Sequence, residues 1–151
     1  MSLKRKMALS IESKLDNVSL VGTAVSKLCS NIPLSELETY QVELCVVEAC
    51  NNAIEHAYKN QPGHVVEVDV EFDPDKISFA IVDTGNSLQQ ACEPTLDYNP
   101  KGDVHELPEG GMGLYLIKEI MDKSEYTTSH GKNKLTLTKY FDRKKTTREK
   151  M

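Results

Sequence analysis

Apolar residues in the first 60 positions recur every three or four residues, which is the spacing of helices that bury one side. Residues 15–30 predict a first helix, with Leu15 among its inward-facing positions. A longer helix is predicted over residues 34–60, where Ser35 caps the first turn and Gly63 follows the end. Two consecutive helices are therefore expected before the main strands.

After the second helix the pattern changes to strict alternation, which is typical of strands with one buried face. Val66, Val68 and Val70 alternate with acidic residues, and a turn at residues 73–76 leads to a second alternating strand at residues 77–81. This pair predicts an antiparallel hairpin whose acidic face meets water. Further strands are predicted at residues 7–12, 124–130 and 135–141, with the last hairpin turning at residues 131–133.

A long polar stretch separates the two predicted hairpins. Residues from about 86 to 109 include three prolines and have no sustained period, which is typical of a functional lid. Glycines then lead into an amphipathic helix at residues 112–122. The order of elements predicts an α+β fold, a two-layer α/β sandwich with a mostly antiparallel sheet and helices on one face. One domain is expected over residues 7–142, with basic tails at residues 1–6 and 143–151.

Composition narrows the class of protein. The 151 residues are 39% hydrophobic, which suits one domain with a single core. The formal net charge of -5 argues against a nucleic-acid or membrane-surface binder, which needs clustered Lys and Arg. No apolar run is long enough to span a bilayer and no signal-peptide pattern is present, so we expect a cytoplasmic protein. The four cysteines lack paired metal-ligand spacing and are expected to be reduced, buried thiols.

Three polar residues follow one line along the second predicted helix. Glu48, Asn52 and His56 are four residues apart, so they share a stripe that borders the apolar face. Glu48 has the chemistry of a general base, and the carbonyl oxygen of Asn52 is a ligand that Mg²⁺ accepts. His56 is placed to reach a phosphate or to close the edge of a site. A solvated helix edge would give the same pattern, so these residues alone leave both interpretations open.

The sequence Asp83-Thr84-Gly85 follows the second strand of the first hairpin. A carboxylate at a strand end accepts a hydrogen bond from an exocyclic amine such as that of adenine, and Gly85 leaves room for a flat ring. A plain turn would use the same three residues. An aspartic protease is excluded, because that class needs two such aspartates and this chain has one copy of the sequence.

Gly110, Gly111 and Gly113 lie where the lid becomes a helix. Glycines at this position let backbone N–H groups approach an anion at the positive end of the helix, which predicts phosphate binding. A tight turn into the helix would explain them as well. The pattern fits neither the Walker sequence nor the dinucleotide-binding fingerprint.

The order of these motifs along the chain adds information that none of them gives alone. They are Glu48-x-x-x-Asn52-Ala53-x-x-His56, then Asp83-x-Gly85, and after the lid Gly111-Met112-Gly113-Leu114. In this order they resemble the N, G1 and G2 boxes of the GHKL ATPase superfamily, which includes gyrase, the histidine kinases and MutL. The short single-domain form is most similar to the RsbW-like anti-sigma-factor serine/threonine kinases. The resemblance covers residues from about 8 to 141.

The resemblance implies a Bergerat-type ATP-binding fold that uses ATP and Mg²⁺. By position, Asp83 and Gly85 would hold the adenine, Asn52 would hold the Mg²⁺ that bridges the phosphates, and His56 would form the pocket edge. Glu48 would be the base that activates a serine or threonine hydroxyl of a partner protein. The phosphate chain would be bound by the backbone at Gly110, Gly111, Met112, Gly113 and Leu114.

The resemblance also implies partner proteins. The substrate would be a small anti-anti-sigma protein of the STAS type. A sigma factor would be bound and silenced, and the kinase would form a homodimer. Direct contact with nucleic acid or a membrane is not expected.

Two features depart from the family pattern. Ser87 stands where the G1 box usually has a second glycine. No arginine occurs between Asp83 and Gly113, where some members bring a lid arginine to the terminal phosphate, so Lys101 or His105 would have to replace it. We therefore keep a non-catalytic ATP-binding switch as the alternative to a kinase. A catalytic domain separated from a histidine kinase is less favoured, because no dimerisation helix with a phospho-acceptor histidine precedes the boxes.

Overall fold

An antiparallel sheet is the structural centre of the chain. In the computed structural model, which describes residues 5–87 and 112–141, five strands form one sheet in the order β1-β2-β3-β5-β4. Every neighbouring pair in this sheet is antiparallel. The strands are β1 Arg5–Glu12, β2 Val65–Asp73, β3 Lys76–Asp83, β4 Lys123–Ser129 and β5 Lys132–Tyr140.

Helices connect these strands. They are a 3₁₀ turn at Leu15–Asn17, α1 at Val18–Cys29, α2 at Glu36–Asn52, a π-helical turn at Ala53–Ala57 and α3 at Met112–Ile120. The start of α2 is a reciprocal cap, because Ser35 Oγ accepts from the Glu38 N–H at 3.0 Å and Glu38 Oε1 accepts from the Ser35 N–H at 2.9 Å. This confirms the predicted capping residue. No helix in the described ranges is both long and apolar enough to cross a membrane.

A hydrophobic core fills the space between the helices and one face of the sheet. Val66, Val68 and Val70 of β2 are almost fully buried, as their alternation predicted, and Phe79 of β3 is paired with Val70. Val46 of α2 packs into the same core. The acidic residues between the valines lie on the opposite face and are partly exposed. The structure is thus a two-layer α+β sandwich, which confirms the predicted fold class.

Two predictions about the N-terminal region are wrong. Arg5 and Lys6, which were expected in a tail, belong to β1 and pair with Phe72 and Glu71 of β2. The Arg5 guanidinium lies 5.4 Å from the centre of the Phe72 ring, a cation–π contact that favours the longer strand. Leu15 was expected to face inward but is 46% exposed, because it lies in a 3₁₀ turn outside the helical phase of α1.

The second predicted helix is not α-helical to its end. The α-helix stops at Asn52, and the next turn is π-helical, with the Tyr58 N–H donating to the Ala53 carbonyl oxygen at 3.0 Å. Lys59 and Asn60 then have positive φ angles of 54° and 61°, which ends the helix. The prediction of one regular helix is therefore wrong in the last turns.

The last hairpin turns earlier and more tightly than predicted. His130 and Gly131 form its turn with φ angles of 54° and 77°, the positive values that primed two-residue turns require. Lys132 and Asn133, which were predicted to be turn residues, are the first residues of β5. Asn133 is therefore paired with Asp83 of β3, beside the candidate site.

Candidate functional site

A cleft opens where the end of α2 meets the end of β3 and the first turn of α3. About 420 Å³ of space not filled by atoms, which includes open solvent, lies between its walls. Its walls are mostly small or apolar and are formed by Ala49, Ala53, Ala57, Ile81, Leu114, Tyr126 and Leu135. Polar groups reach it from Asn52, His56, Asp83 and Asn86. Ligand pockets combine apolar walls with a few convergent polar groups, so this cleft is the candidate site.

Two of the three polar residues predicted on the second helix reach the cleft. Asn52 and His56 line it, whereas Glu48, one turn before Asn52, is partly buried outside its lining. The Asn52 Nδ2 atom is buried, and no described residue accepts a hydrogen bond from it. Because an unsatisfied buried amide costs free energy, this position favours the binding of a polar ligand.

Asp83 is the last residue of β3 and is 7% exposed. Its Oδ1 atom accepts hydrogen bonds from the Gly85 N–H at 3.0 Å and from Asn133 Nδ2 at 2.7 Å. Burial raises the pKa of this carboxyl, and the two hydrogen bonds, which favour the ionised form, only partly offset that effect. Both donors use Oδ1, and within the described ranges no residue donates to Oδ2. As far as the described residues go, Oδ2 can therefore accept a hydrogen bond from a ligand.

The loop after β3 is hydrogen-bonded to the π-helical turn that follows α2 and to Tyr58 directly after it. The Tyr58 hydroxyl accepts a hydrogen bond from the Thr84 N–H at 2.8 Å and donates to the Val65 carbonyl oxygen at 2.6 Å. The Asn86 N–H donates to the Ala57 carbonyl oxygen at 2.9 Å. These contacts join the two walls of the cleft that carry its polar groups.

Gly85 is required by the same junction. A Cβ atom at this position would collide with the Ala57 carbonyl oxygen, and it would lie 2.7 Å from the Ala57 carbonyl carbon and 2.8 Å from Tyr58 Cδ1. The loop can lie this close to the helix only because residue 85 has no side chain. The structure thus gives a reason for Gly85 that its sequence context did not suggest, and its role beside a flat ring stays a prediction.

The glycine cluster is only partly described. Gly110 and Gly111 lie outside the described residues, as do most of the lid and both of the positions considered for the missing arginine. Met112 and Gly113 are the first residues of α3, and Leu114 is 7% exposed and lines the cleft. The cluster therefore precedes a helix as predicted, and this helix starts beside the cleft. The phosphate contacts of these residues stay a prediction.

Asn86 and Asn133 are among the residues at or behind the site that the sequence did not indicate. Asn86 lines the cleft, and its position directly after Gly85 was a signal that could have been used. Asn133 is buried and contacts Asp83 across 50 residues of sequence, so no local pattern indicates it. Ser87, which stands in place of a family glycine, is also buried.

The donors and acceptors of the cleft suit a purine nucleotide. Small apolar walls suit the face of a flat ring, and the Asp83 oxygen that receives no hydrogen bond from the described residues can accept one from an exocyclic amine. The Asn52 carbonyl oxygen is a type of ligand that Mg²⁺ takes, together with water and phosphate oxygens, and the buried Nδ2 donor suits a phosphate oxygen. The residues present therefore fit ATP and Mg²⁺, the two groups that the sequence resemblance implies.

Known proteins with similar sequences and folds point to one family. Residues 11–139 match the family described as the histidine kinase-like ATPase domain. The serine-protein kinase RsbW of Bacillus pumilus is 31% identical over 91% of this chain and 86% of its own length. The serine-protein kinase RsbW of Bacillus subtilis is 27% identical over 89% of this chain and 84% of its own length. The crystal structure of the RsbU and RsbW domains of a Mycobacterium tuberculosis protein has a similar fold, with a TM-score of 0.63, 12% identity, and coverage of 89% of this chain and 32% of that chain.

Proposed function

Because the chain belongs to the histidine kinase-like ATPase family, and within it to the RsbW serine-protein kinases, we propose that it phosphorylates a partner protein with ATP. The full proposal is an ATP- and Mg²⁺-dependent serine/threonine kinase that acts as an anti-sigma factor. The observation that carries it is that Asn52 and Asp83, which lie on separate elements, line the same cleft. In the proposal, the Asn52 amide serves the phosphate end of the nucleotide and the Asp83 carboxylate serves the base.

In this proposal each cleft residue contacts a different part of the nucleotide. Asp83 accepts a hydrogen bond from the adenine amine through its free oxygen, and His56 stands at the pocket edge near the phosphates. The Asn52 carbonyl oxygen is the proposed ligand for Mg²⁺, which supplies neutralisation of phosphate charge when it is bound. The backbone from Gly110 to Leu114 is the proposed binding segment for the phosphate chain.

Glu48 is the proposed catalytic base. It precedes Asn52 by one turn of α2 and is partly exposed. In the proposal, its carboxylate meets a hydroxyl group of a second protein. In the proposed reaction it accepts the proton of a serine or threonine hydroxyl while the hydroxyl oxygen forms a bond to the terminal phosphorus of ATP. The bond between that phosphorus and the bridging oxygen breaks, and ADP leaves with its electrons.

The proposed partners are an anti-anti-sigma protein of the STAS type as substrate and a sigma factor that the kinase silences. A cytoplasmic homodimer with one kinase domain at residues 7–142 and a lid at about residues 86–109 is part of the same proposal. The relatives compared above are named serine-protein kinases, which favours an enzyme over a non-catalytic switch.

Binding of ATP is tested by calorimetry with Mg²⁺. We expect the wild-type chain to bind ATP and Asn52→Ala to bind it at least about tenfold more weakly, the loss expected for one charge-assisted contact. Asn51→Ala is the matched control, since Asn51 precedes Asn52 on the same helix and does not line the cleft. Absence of ATP binding by the wild-type chain would refute the proposal.

Transfer of the phosphoryl group is tested with a purified anti-anti-sigma protein and labelled ATP. We expect Glu48→Gln to slow transfer by about 100-fold or more, the usual contribution of a general base, while ATP affinity stays unchanged. Glu55→Gln on the exposed side of the π-helical turn should keep the wild-type rate. Full transfer by Glu48→Gln would remove Glu48 from the mechanism.

A further inference from the structure

Asn133 is a buried polar residue behind the cleft, and its sequence context suggests only a turn. It is 2% exposed, lies in β5 opposite Asp83 of β3, and does not line the cleft itself. Buried amides in proteins are almost always hydrogen-bonded, so the partners of Asn133 indicate what it does.

Three partners fix the direction of the Asn133 amide. Its Oδ1 atom accepts a hydrogen bond from the Thr128 hydroxyl of β4 at 3.1 Å. Its Nδ2 atom donates to Asp83 Oδ1 at 2.7 Å and to the Gly85 carbonyl oxygen at 3.0 Å. An amide turned the other way would place its own oxygen against these two acceptors. The amide is therefore held in a single orientation.

These contacts decide which part of Asp83 is available to a ligand. Its Oδ1 atom already accepts from Asn133 and from the Gly85 N–H at 3.0 Å, whereas no donor among the described residues reaches Oδ2. The terminal torsion of a carboxylate is broad when it is unrestrained, so two hydrogen bonds to one oxygen fix the direction of the other. Donation from Asn133 also favours the ionised form of Asp83, which accepts hydrogen bonds and cannot donate them.

We propose that Asn133 is a positioning residue that makes the cleft selective for 6-aminopurine nucleotides over 6-oxopurine nucleotides. It acts through Asp83 and does not touch the nucleotide. A 6-amino group donates to the oriented carboxylate, while a 6-oxo group brings a second acceptor against it. A carboxyl group that rotates or takes up a proton would tolerate both kinds of base. This inference rests on the proposed ATP binding. It adds that Asn133 is the residue on which selectivity for the purine base depends.

The test compares three nucleotides by calorimetry with the full chain and Mg²⁺. They are ATP, GTP and purine riboside triphosphate, which lacks the 6-amino group. We expect the wild-type chain to bind ATP at least about tenfold more tightly than either of the others. In Asn133→Ala that preference should fall to about threefold or less, because Asp83 loses the donor that orients it.

Two threonines of β4 provide a second variant and its control. Thr128→Ala removes the contact that fixes the Asn133 amide, and we expect it to lower the preference for ATP to a value between those of the wild type and Asn133→Ala. Thr127 is the neighbouring residue on the opposite face of the strand. Thr127→Ala should keep the wild-type preference.

The outcomes separate positioning from general support of the fold. If Asn133 only stabilised the structure, Asn133→Ala would weaken the binding of all three nucleotides by the same factor. That result would overturn the inference. If circular dichroism shows that Asn133→Ala is unfolded, the test relies on Thr128→Ala. A wild-type preference for ATP in Thr128→Ala would then overturn the inference. If the wild-type chain binds ATP no more tightly than the nucleotides that lack the 6-amino group, this inference is overturned and the proposed function is not. A wild-type chain that binds no ATP overturns the proposed function as well.

Discussion

At the scale of single residues, Gly85 shows how closely the loop after β3 lies against the π-helical turn that follows α2. Its replacement by Ala would put a methyl group 2.7 Å from the Ala57 carbonyl carbon and 2.8 Å from the Tyr58 ring. Because a backbone carbonyl and a buried ring cannot yield without moving the loop, we expect the free energy of unfolding to fall by about 1–3 kcal/mol. ATP affinity should fall with it. Urea unfolding and calorimetry measure the two effects.

Gly63→Ala is the matched control for that experiment. Gly63 has a φ angle of 91°, and nothing lies within 4 Å of a Cβ built on it. Its Ala variant should lose only the roughly 1–2 kcal/mol of left-handed backbone strain and should keep full ATP affinity. Wild-type stability in Gly85→Ala would contradict the close packing of the loop on the helix.

The site residues that the sequence predicted share a property that Asn133 lacks. Asn52 and Asp83 lie in short motifs, where the types of neighbouring residues already indicate their chemistry. Asn133 acquires its role only through the pairing of β3 with β5, which joins positions 50 residues apart. Its neighbours Gly131 and Lys132 indicate only a turn, and a turn placed differently changes which face of the strand a side chain occupies. The local pattern therefore could not assign it to the site.

At the scale of elements, Tyr58 joins three of them with one hydroxyl group. The Tyr58 hydroxyl accepts a hydrogen bond from the Thr84 N–H and donates one to the Val65 carbonyl oxygen. It therefore links the end of the helix to β2 and to the loop after β3. Tyr58→Phe would leave two backbone groups without this partner, and we expect a loss of about 1–3 kcal/mol in unfolding free energy. Thermal or urea unfolding measures it.

Tyr40→Phe is the control for the loss of a hydroxyl group. Tyr40 lies on α2 with 60% of its surface exposed, so water can satisfy whatever its hydroxyl group loses. The change in unfolding free energy for this variant should stay within about 0.5 kcal/mol. Equal stability of the two variants would show that the Tyr58 hydroxyl does not hold the elements together.

The α-helical part of the second predicted helix could be predicted from the sequence, and the π-helical turn at its end could not. The apolar period and the Ser35 cap are local properties, and both are found in the structure. The π-helical turn at Ala53–Ala57 forms where the helix meets the loop after β3, with the Ala57 carbonyl oxygen accepting from Asn86. That contact depends on tertiary structure, whereas the sequence continues the 3.6-residue period through the turn.

At the scale of the whole molecule, the core protects three thiols from reaction. Cys29, Cys45 and Cys50 are fully buried, and burial is the largest cause that raises the pKa of each to about 12. At pH 8 the thiolate, which is the reactive form, is therefore a very small fraction of each native thiol. We expect slow labelling by a disulfide reagent in native buffer and complete labelling in guanidinium, in a Cys92→Ser variant that leaves only these thiols.

The same pKa shifts fix the sign of a pH effect on stability. The folded state disfavours the thiolate, so the stabilisation is fully present below the ordinary thiol pKa of about 9 and is lost as the pH rises from there towards 12. Rapid labelling of three thiols in the native protein would contradict their burial.

The two-layer architecture could be predicted because the hydrophobic period changes from 3.6 to 2 at a clear point in the chain. The order of strands could not. β5 lies between β3 and β4, and its pairing with β3 joins segments that are far apart in sequence. Such a pairing depends on side chains that meet only in the folded state, so a local pattern does not indicate it.

The position of β5 has a consequence for the protein during its synthesis. β5 is the last strand along the described chain, yet it lies inside the sheet and next to β3. Until it has left the ribosome, one side of β3 is unpaired, and Asp83 lacks the Asn133 donor. A nascent chain therefore contains Asn52 and Asp83, two residues of the candidate cleft, before the strand that carries Asn133 has paired with β3. If the chain binds ATP as proposed, we expect its preference for the 6-aminopurine base to form only after this last described strand has been inserted.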